Sequence, residues 1–224
     1  MHVTIWGAME LVARLREAIP EEVFDYRTLM CLLDDYSKPR DAVGRLVRSG
    51  ALVRIRQGLY CFAPAFRRRE IPRPCLANLV YGPSYVSLEY ALAYWGLIPE
   101  RVHLVTSVSI GRSRSFETPL GGFSYRMLKL CRYSPGFMRV TEEGSPFLIA
   151  TPEKALADKV WTDSRFPGDT ISSYGAYLHD DLRIAGEDLA RLDLSILAAI
   201  AHAYDSRKLR NLSSYMAGEV SRHA

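Results

Sequence analysis

The residues with the clearest capacity for chemistry are six basic side chains between positions 38 and 56. They are Lys38, Arg40, Arg45, Arg48, Arg54 and Arg56. Residues 37–69 carry nine basic side chains against a single acidic one, Asp41, for a net charge of +8, whereas residues 1–36 sum to −4 and the remainder to zero. Cationic groups concentrated in one block are suited to bind a chain of phosphates. The block therefore predicts nucleic acid as the partner.

Two helices are predicted before the basic block. Apolar residues recur at three- and four-residue spacing over residues 8–19, and Pro20 ends that pattern, as expected for an amphipathic helix. Asp25 is placed to cap a second helix that runs through Leu33, because an N-cap aspartate accepts a hydrogen bond from an otherwise unpaired N–H group. A short extended segment, Val23-Phe24, precedes that cap.

A third helix carries four of the six basic residues. Ser37 is placed to cap it, Pro39 is tolerated in its first turn, and Gly50 stops it. Its predicted buried stripe is formed by Val43, Leu46 and Val47. Gly44 costs about 1 kcal/mol in a helix interior. This glycine allows close approach either to a phosphate or to a neighbouring helix, and the sequence leaves both readings open.

The stretch ALVRIRQGLYCF predicts a β-hairpin, because apolar residues alternate on either side of Gln57-Gly58. Three helices followed by a hairpin is the order of a winged helix-turn-helix, whose third helix enters the major groove of DNA. Arg54 and Arg56 are then residues of the wing. The same order of elements also builds protein-docking modules, so that alternative stays open at this point.

The expected DNA contacts differ along the block. Because the first residues of a recognition helix reach base edges, Lys38 and Arg40 are the candidates for base contacts. Arg45 and Arg48 lie further along and are expected to hold phosphates. The residues expected to touch phosphate or the minor groove are Arg54, Arg56 and Gln57-Gly58.

A domain boundary is predicted where the chain reads APAFRRREIPRPC, from Ala63 to Cys75. Three prolines and a run of three arginines are typical of an extended linker. The arginines Arg67 to Arg69 either add nonspecific phosphate affinity or only keep the linker solvated. We therefore expect a DNA-binding domain over residues 1–69 and a second domain over residues 70–224.

The second segment is predicted to be a mixed α+β domain with antiparallel strands. Ser87 is placed to cap a helix. The stretches VHLVTSVSI, SRSFET and GGFSYRMLKL alternate as strands, and FLIA from Phe147 is typical of a short buried strand. Thr151 is placed to start a further helix, and two more are expected near 187–204 and 206–217.

No catalytic motif accompanies these elements. The sequence has no P-loop, GxGxxG, GxSxG or HExxH. The charges of Glu153-Lys154 and Asp158-Lys159 lack the spaced acid-x-Lys pattern of a nuclease and are interpreted as helix-surface charge. Four widely spaced cysteines and five scattered histidines predict reduced thiols and no metal site. We expect a protein that is not an enzyme and needs no cofactor.

The apolar stretches are too short to suggest a membrane span, which needs roughly 18 residues. Glu10, Arg14 and Arg16 interrupt the first apolar segment, unlike the apolar core of a secretory signal. The chain is therefore expected to be soluble and cytoplasmic, without a membrane partner.

Several segments resemble the AbiEi family of antitoxins from bacterial AbiE toxin–antitoxin systems. VFDYRTL and AVGRLVRSGALVRIRQGLYCF are similar to the family's N-terminal winged helix. YVSLEYALAYWGLIPE, RSRSFETPLGGFSYRML and FLIATPEKALADKVW are similar to its C-terminal domain. The resemblance covers residues 8–215, and the combination of SLEYALAYWGLIP with TPEKALADK is its most specific part.

The resemblance implies a repressor that binds inverted repeats in its own promoter and neutralises a cognate nucleotidyltransferase-like toxin through a noncatalytic second domain. It assigns the DNA role to the six basic residues. The positions that match the family's motifs in the second domain, and are candidates for binding the toxin, are Arg112, Arg114, Glu153, Lys154 and Asp158. The family often has a second domain that is basic in places, whereas residues 70–224 have a net charge of zero.

Two other classes of function remain open. One is a plain winged-helix transcriptional regulator whose second domain senses a small-molecule effector, which requires a defined apolar pocket. The other is a nuclease or transferase with a DNA-targeting module, which requires metal-dependent turnover. The missing catalytic motifs argue against the second of these.

Overall fold

A computed structural model describes the backbone of residues 3–223 and the side chains of residues 9–219. The chain divides into two compact units. The first is Met1–Pro72 with Glu117–Leu120, and the second is Arg73–Phe116 with Gly121–Ala224. Helices and strands occur in both units, so the predicted mixed α+β class is confirmed.

The first unit begins with three helices. They are α1 (Val3–Ala18), α2 (Tyr26–Leu32) and α3 (Pro39–Arg48), and strand β1 (Val23–Asp25) lies between the first two. As predicted, Asp25 caps α2 by accepting a hydrogen bond from the N–H of Thr28 at 2.8 Å. The predicted cap of α3 is wrong, because Lys38 rather than Ser37 occupies the N-cap position. Proline is favoured at the first helical position, and Pro39 therefore places the cap at the residue directly before it.

Two further strands complete the first unit. β2 (Leu52–Arg56) and β3 (Leu59–Phe62) form the predicted hairpin, and the antiparallel sheet has the strand order β1-β3-β2. The turn falls at Gln57-Gly58, where Gly58 has φ +81°, a conformation that glycine adopts without strain. The pairing register shifts between Arg54 and Arg56, which is a local bulge in β2.

The core of the first unit is formed by the buried faces of its helices and strands. Its fully buried residues include Leu15 of α1, Leu29 of α2, Leu46 of α3 and Phe62 of β3. Full burial of such a side chain contributes roughly 1.5–3 kcal/mol to folding, so these residues hold the three helices against the hairpin. Gly50 follows α3 with φ +73° and ends that helix as predicted.

The predicted linker is shorter than expected, because helix α4 (Arg73–Val80) begins inside it. Arg67 donates a hydrogen bond from Nε to the carbonyl of Phe62 at 2.8 Å. Arg68 donates to the carbonyl of Arg16, also at 2.8 Å. These two hydrogen bonds attach the segment to the body of the first unit. A contribution of Arg67 to Arg69 to phosphate affinity stays a prediction.

A six-stranded sheet organises the second unit. Its strands are β4 (Ser84–Val86), β5 (Val105–Ser109), β6 (Arg114–Thr118), β7 (Gly121–Met127), β8 (Phe137–Glu142) and β9 (Ser145–Ala150), in the order β6-β7-β5-β4-β9-β8. β4 pairs antiparallel with β5, and β8 with β9. The pairs β5–β7 and β4–β9 are parallel, so the prediction of antiparallel strands is wrong for them. Period-two alternation indicates which faces are buried and carries no information on strand direction.

Seven more helices follow α4 in the described part of the second unit, where α5 and α7 contact the sheet while α10 and α11 pack on α7. They are α5 (Leu88–Tyr94), α6 (Leu130–Tyr133), α7 (Pro152–Thr162), α8 (Ser173–Ala176), α9 (Gly186–Ala190), α10 (Leu194–Tyr204) and α11 (Arg207–His223). The single helix predicted over 187–204 is wrong, because Asp193 interrupts it and caps α10 by accepting from the N–H of Ser195 at 2.8 Å. None of the helices within residues 3–223 combines the length and the apolar character needed to cross a membrane.

Candidate functional site

The seven residues predicted to bind DNA lie on α3 and the β2–β3 hairpin, or directly beside them, and all are exposed. They are Lys38, Arg40, Arg45, Arg48, Arg54, Arg56 and Gln57, hereafter the basic face. No ion pair or side-chain hydrogen bond joins its six cations to any residue that the structure describes. In the same unit, Arg14 pairs with Asp35 at 2.8 Å and Arg16 with Glu22 at 2.7 Å. The six cations of the basic face are therefore not neutralised by described carboxylates, whereas Arg14 and Arg16 are.

Helix α3 separates its apolar and basic residues onto opposite sides. Its buried residues are Ala42, Val43 and Leu46. Arg40, Gly44 and Arg48 follow one another at four-residue spacing along the other side. A Cβ atom placed on Gly44 meets nothing within 4 Å. A neighbouring helix in the described part of the chain is therefore not the reason for this glycine.

The hairpin presents its arginines by alternation. Ile55 is buried, with an exposed fraction of 3%, while Arg54 and Arg56 on either side of it point outward. The bulge between the two arginines adds local twist near the tip, where Gln57 is exposed. Their planar guanidinium groups are suited to bind phosphate oxygens in a bidentate manner.

Two of the five candidate toxin-binding residues, Arg112 and Arg114, are exposed. Arg114 lies on β6, an edge strand of the six-stranded sheet, and Arg112 lies two residues before it. The guanidinium of Arg114 is 5.8 Å from the ring centroid of Tyr81, a cation–π contact that orients this side chain. Both arginines are therefore available to a partner.

The other three candidates, Glu153, Lys154 and Asp158, are buried in α7, with exposed fractions of 6%, 0% and 0%. Their interpretation as helix-surface charge is wrong, because every residue from 153 to 160 of this helix is buried. Thr151 caps α7 as predicted, accepting from the N–H of Lys154 at 3.3 Å. A side chain enclosed to this degree offers no surface to a partner.

Asp158 is the centre of a buried polar network. Its Oδ2 accepts hydrogen bonds from the hydroxyls of Tyr85 at 3.0 Å and Ser87 at 2.6 Å. Its Oδ1 accepts from the hydroxyl of Tyr204 and lies 3.1 Å from Nζ of Lys154. Nζ of Lys154 also donates to the Tyr204 hydroxyl at 2.9 Å. The network joins α7 to β4, to the start of α5 and to the end of α10.

The electrostatics of this network are those of a structural core. Burial lowers the pKa of Lys154, and the adjacent carboxylate of Asp158 opposes that shift. Burial, reinforced by the same carboxylate, raises the pKa of Tyr85 and Tyr204, so both hydroxyls remain protonated donors. Because Lys154 and Asp158 have no exposed surface, the network positions helices instead of contacting a ligand.

Lys159 organises a second polar cluster next to the first. Its Nζ lies 2.9 Å from Oε1 of Glu89 and 3.1 Å from Oδ2 of Asp163. Burial disfavours its charged form, yet hydrogen bonds to these two carboxylates raise the pKa of Lys159. Burial likewise opposes the charge of Asp163, but hydrogen bonds from Arg165 and Lys159 hold the pKa of that carboxyl well below its usual range. The cluster is thus ionised and internally balanced.

A cleft of about 450 Å³ adjoins this cluster and includes Thr106, Ser124 and Arg126 in its lining. A second cavity of about 460 Å³ shares Ser124 and Arg126 with it and adds Arg114. We refer to the two together as the arginine cleft. Within the described residues, neither Arg114 nor Arg126 forms an ion pair with a carboxylate. The arginine cleft therefore combines two unpaired arginines with the hydroxyl of Ser124, and the ionised cluster of Glu89, Lys159 and Asp163 lines one side of it.

A metal site is not found among the described residues, since no three His, Cys, Asp or Glu side chains there could hold an ion together. His2 and the side chain of His223 lie outside that part of the chain. No protein-family model matches this chain, and no curated protein matches it.

Proposed function

We propose that this protein is a DNA-binding transcriptional autorepressor and antitoxin that neutralises a cognate nucleotidyltransferase-like toxin. In this proposal the first unit is a winged helix-turn-helix, with α3 as the recognition helix and the β2–β3 hairpin as the wing. Inverted repeats in the protein's own promoter are the DNA target. The observation that carries the proposal is the basic face, whose six cations are exposed and lack ion-pair partners in the described structure.

A DNA duplex suits the basic face in both charge and shape. Duplex DNA carries one negative charge per about 1.7 Å of helix axis, so six cations can neutralise several phosphates and release their counterions. The major groove admits one α-helix, and Lys38 and Arg40 at the start of α3 are placed to reach base edges. Because the basic residues have no ion-pair partners among the described residues, binding DNA costs that part of the protein no existing ion pair.

The antitoxin half of the proposal is supported by two segments of the second unit that resemble the AbiEi family of antitoxins. SLEYALAYWGLIP includes α5 and TPEKALADK includes the start of α7, and these elements are joined by the Ser87–Asp158 and Glu89–Lys159 hydrogen bonds. A domain whose most family-like residues form a buried scaffold agrees with a noncatalytic role. The toxin must then contact exposed residues, and Arg112 and Arg114 are the candidates that remain accessible.

Co-expression with the open reading frame that neighbours the gene tests the antitoxin half. We expect the neighbour to arrest growth and the full chain, expressed from an independent promoter, to restore it. Arg45→Ala combined with Arg56→Ala should still restore growth while losing repression of a reporter under the protein's own promoter. Arg112→Ala combined with Arg114→Ala should show the opposite pattern. A harmless neighbour would contradict the antitoxin half and leave DNA binding to its own test.

A second candidate function is that of a transcriptional regulator whose second unit senses a small-molecule effector. The arginine cleft is the observation that favours it. Arg114 and Arg126 can bind a phosphate or carboxylate, while the hydroxyl of Ser124 can bind the neutral polar part of the same ligand. The cleft thus suits an anionic small molecule such as a nucleotide.

This second candidate predicts a rise in melting temperature on ligand binding. A ligand at about 100 times its Kd stabilises the folded state by about 2.7 kcal/mol, which corresponds to roughly 5–10 °C for a chain of this size. Thermal denaturation of the full chain with and without adenosine monophosphate measures it. Arg126→Gln should abolish the shift, and Arg139→Gln, an exposed arginine of β8, should leave it unchanged. A wild-type protein that shows no shift contradicts this candidate.

A further inference from the structure

Gly44 occupies an interior position of α3, four residues before the helix ends at Arg48. Glycine is a poor helix former, so an interior helical glycine calls for a physical reason. A left-handed backbone is one such reason, and it applies to Gly58, with φ +81°. It does not apply to Gly44, whose backbone lies outside the left-handed region.

Internal packing does not explain Gly44 either. At Gly136, a Cβ atom would lie 2.8 Å from Ile200 and 2.9 Å from Lys154, so that glycine is required by its neighbours. At Gly44, the same added atom meets open space, with nothing in the described chain within 4 Å. Among the described residues, the space beside Gly44 is therefore open to a partner. Open space alone does not identify that partner, because Gly218 of α11 shares it.

The residues around Gly44 identify the chemistry of that partner. Arg40 and Arg48 lie one turn before and one turn after it, each about 6 Å away along the helix axis. Arg45 is its immediate neighbour, and the side chains of all three arginines are exposed. A surface that touches α3 at Gly44 meets guanidinium groups on both sides of the contact. Such a surface must carry negative charge on both sides, as the major groove does between its two phosphate backbones.

We propose that Gly44 is the point of closest approach between α3 and a DNA duplex. This inference rests on the proposed function and adds to it how deeply α3 enters the major groove. An α-helix with its side chains is about 10–12 Å across, and the major groove is about 12 Å wide. With so little clearance, a side chain on the midline of the exposed face determines how far the helix enters. A bare backbone at Gly44 lets Arg40 and Arg48 reach the DNA together.

The test uses Gly44→Ala and Gly44→Leu in the full chain. Alanine favours the helix, so Gly44→Ala should raise the melting temperature by roughly 2–4 °C. Affinity for a duplex taken from the protein's own promoter should fall about tenfold with alanine and further with leucine, measured by fluorescence anisotropy at several salt concentrations. Gly218→Ala is the matched control, because Gly218 is an exposed glycine of α11 whose added Cβ also meets nothing within 4 Å. It should leave DNA affinity unchanged.

The outcomes separate this inference from the proposed function. Weaker binding by Gly44→Ala, with an unchanged or higher melting temperature, supports close approach. Wild-type affinity in Gly44→Ala, when Arg45→Ala combined with Arg56→Ala weakens binding, overturns close approach and leaves the proposed function intact. A lower melting temperature in Gly44→Ala also overturns it, because the glycine then serves the fold. A wild-type protein that binds no duplex overturns both.

Discussion

Replacing Asp158 by alanine is expected to destabilise the second unit by about 3–5 kcal/mol, the usual cost of leaving half of a buried ion pair without its partner. Lys154, which has no exposed surface, would lose the carboxylate that lies 3.1 Å from its Nζ. The hydroxyls of Tyr85, Ser87 and Tyr204 would lose their acceptor. The melting temperature should fall by roughly 6–20 °C, measured by calorimetry on the full chain.

Asp188→Ala is the matched control for this prediction. Asp188 forms an ion pair with Arg191 at 2.8 Å, in which the Arg191 side chain is 73% exposed and that of Asp188 24%. Pairs that remain open to solvent contribute about 0–1 kcal/mol, so the melting temperature of this variant should barely change. If Asp158→Ala behaves like Asp188→Ala, the buried network does not support the fold as inferred.

Combining Arg45→Ala with Arg56→Ala is expected to flatten the salt dependence of DNA binding. Each lost phosphate contact lowers the slope of log K against log salt by about 0.9, so the double variant should lose about 1.8. Because one residue lies on α3 and the other on the hairpin, the change samples both halves of the basic face. Equilibrium binding to a promoter duplex at several salt concentrations measures the slope.

The control for this experiment is Arg101→Ala combined with Arg139→Ala, which removes the same charge from exposed positions of the second unit. Its slope should match that of the wild-type protein, since neither residue belongs to the basic face. Circular dichroism should show that both double variants are folded. An unchanged slope in a folded Arg45→Ala, Arg56→Ala variant would contradict docking through the basic face.

Local signals in the sequence determined most of the first unit. The cap at Asp25, the stop at Gly50 and the turn at Gln57-Gly58 each act within a few residues, so neighbouring positions are sufficient to predict them. The outward position of the basic residues follows from the same helix and strand periods. The prediction failed at Ser37, where the preference of Pro39 for the first helical position outweighed the capping preference of serine.

The charges of α7 show where local pattern was insufficient. Lys154 and Asp158 have the spacing of a helix-surface pair, yet both are fully buried. The hydroxyls that satisfy Asp158 come from Tyr85, 73 residues away, and Tyr204, 46 residues away. A sequence window around α7 contains neither partner, so local pattern could not predict that these charges are buried. The parallel direction of the β5–β7 and β4–β9 pairs is non-local in the same way.

The sequence by itself therefore determined where positive charge is concentrated and which helix and hairpin carry it, because composition and short-range periodicity are local properties. The tertiary structure decided which charged groups remain free to bind. It enclosed Lys154 and Asp158 in a hydrogen-bonded core, attached Arg68 to the carbonyl of Arg16, and left open space beside Gly44. Burial and open space depend on every element that packs nearby, and so they are known only once the whole chain is folded.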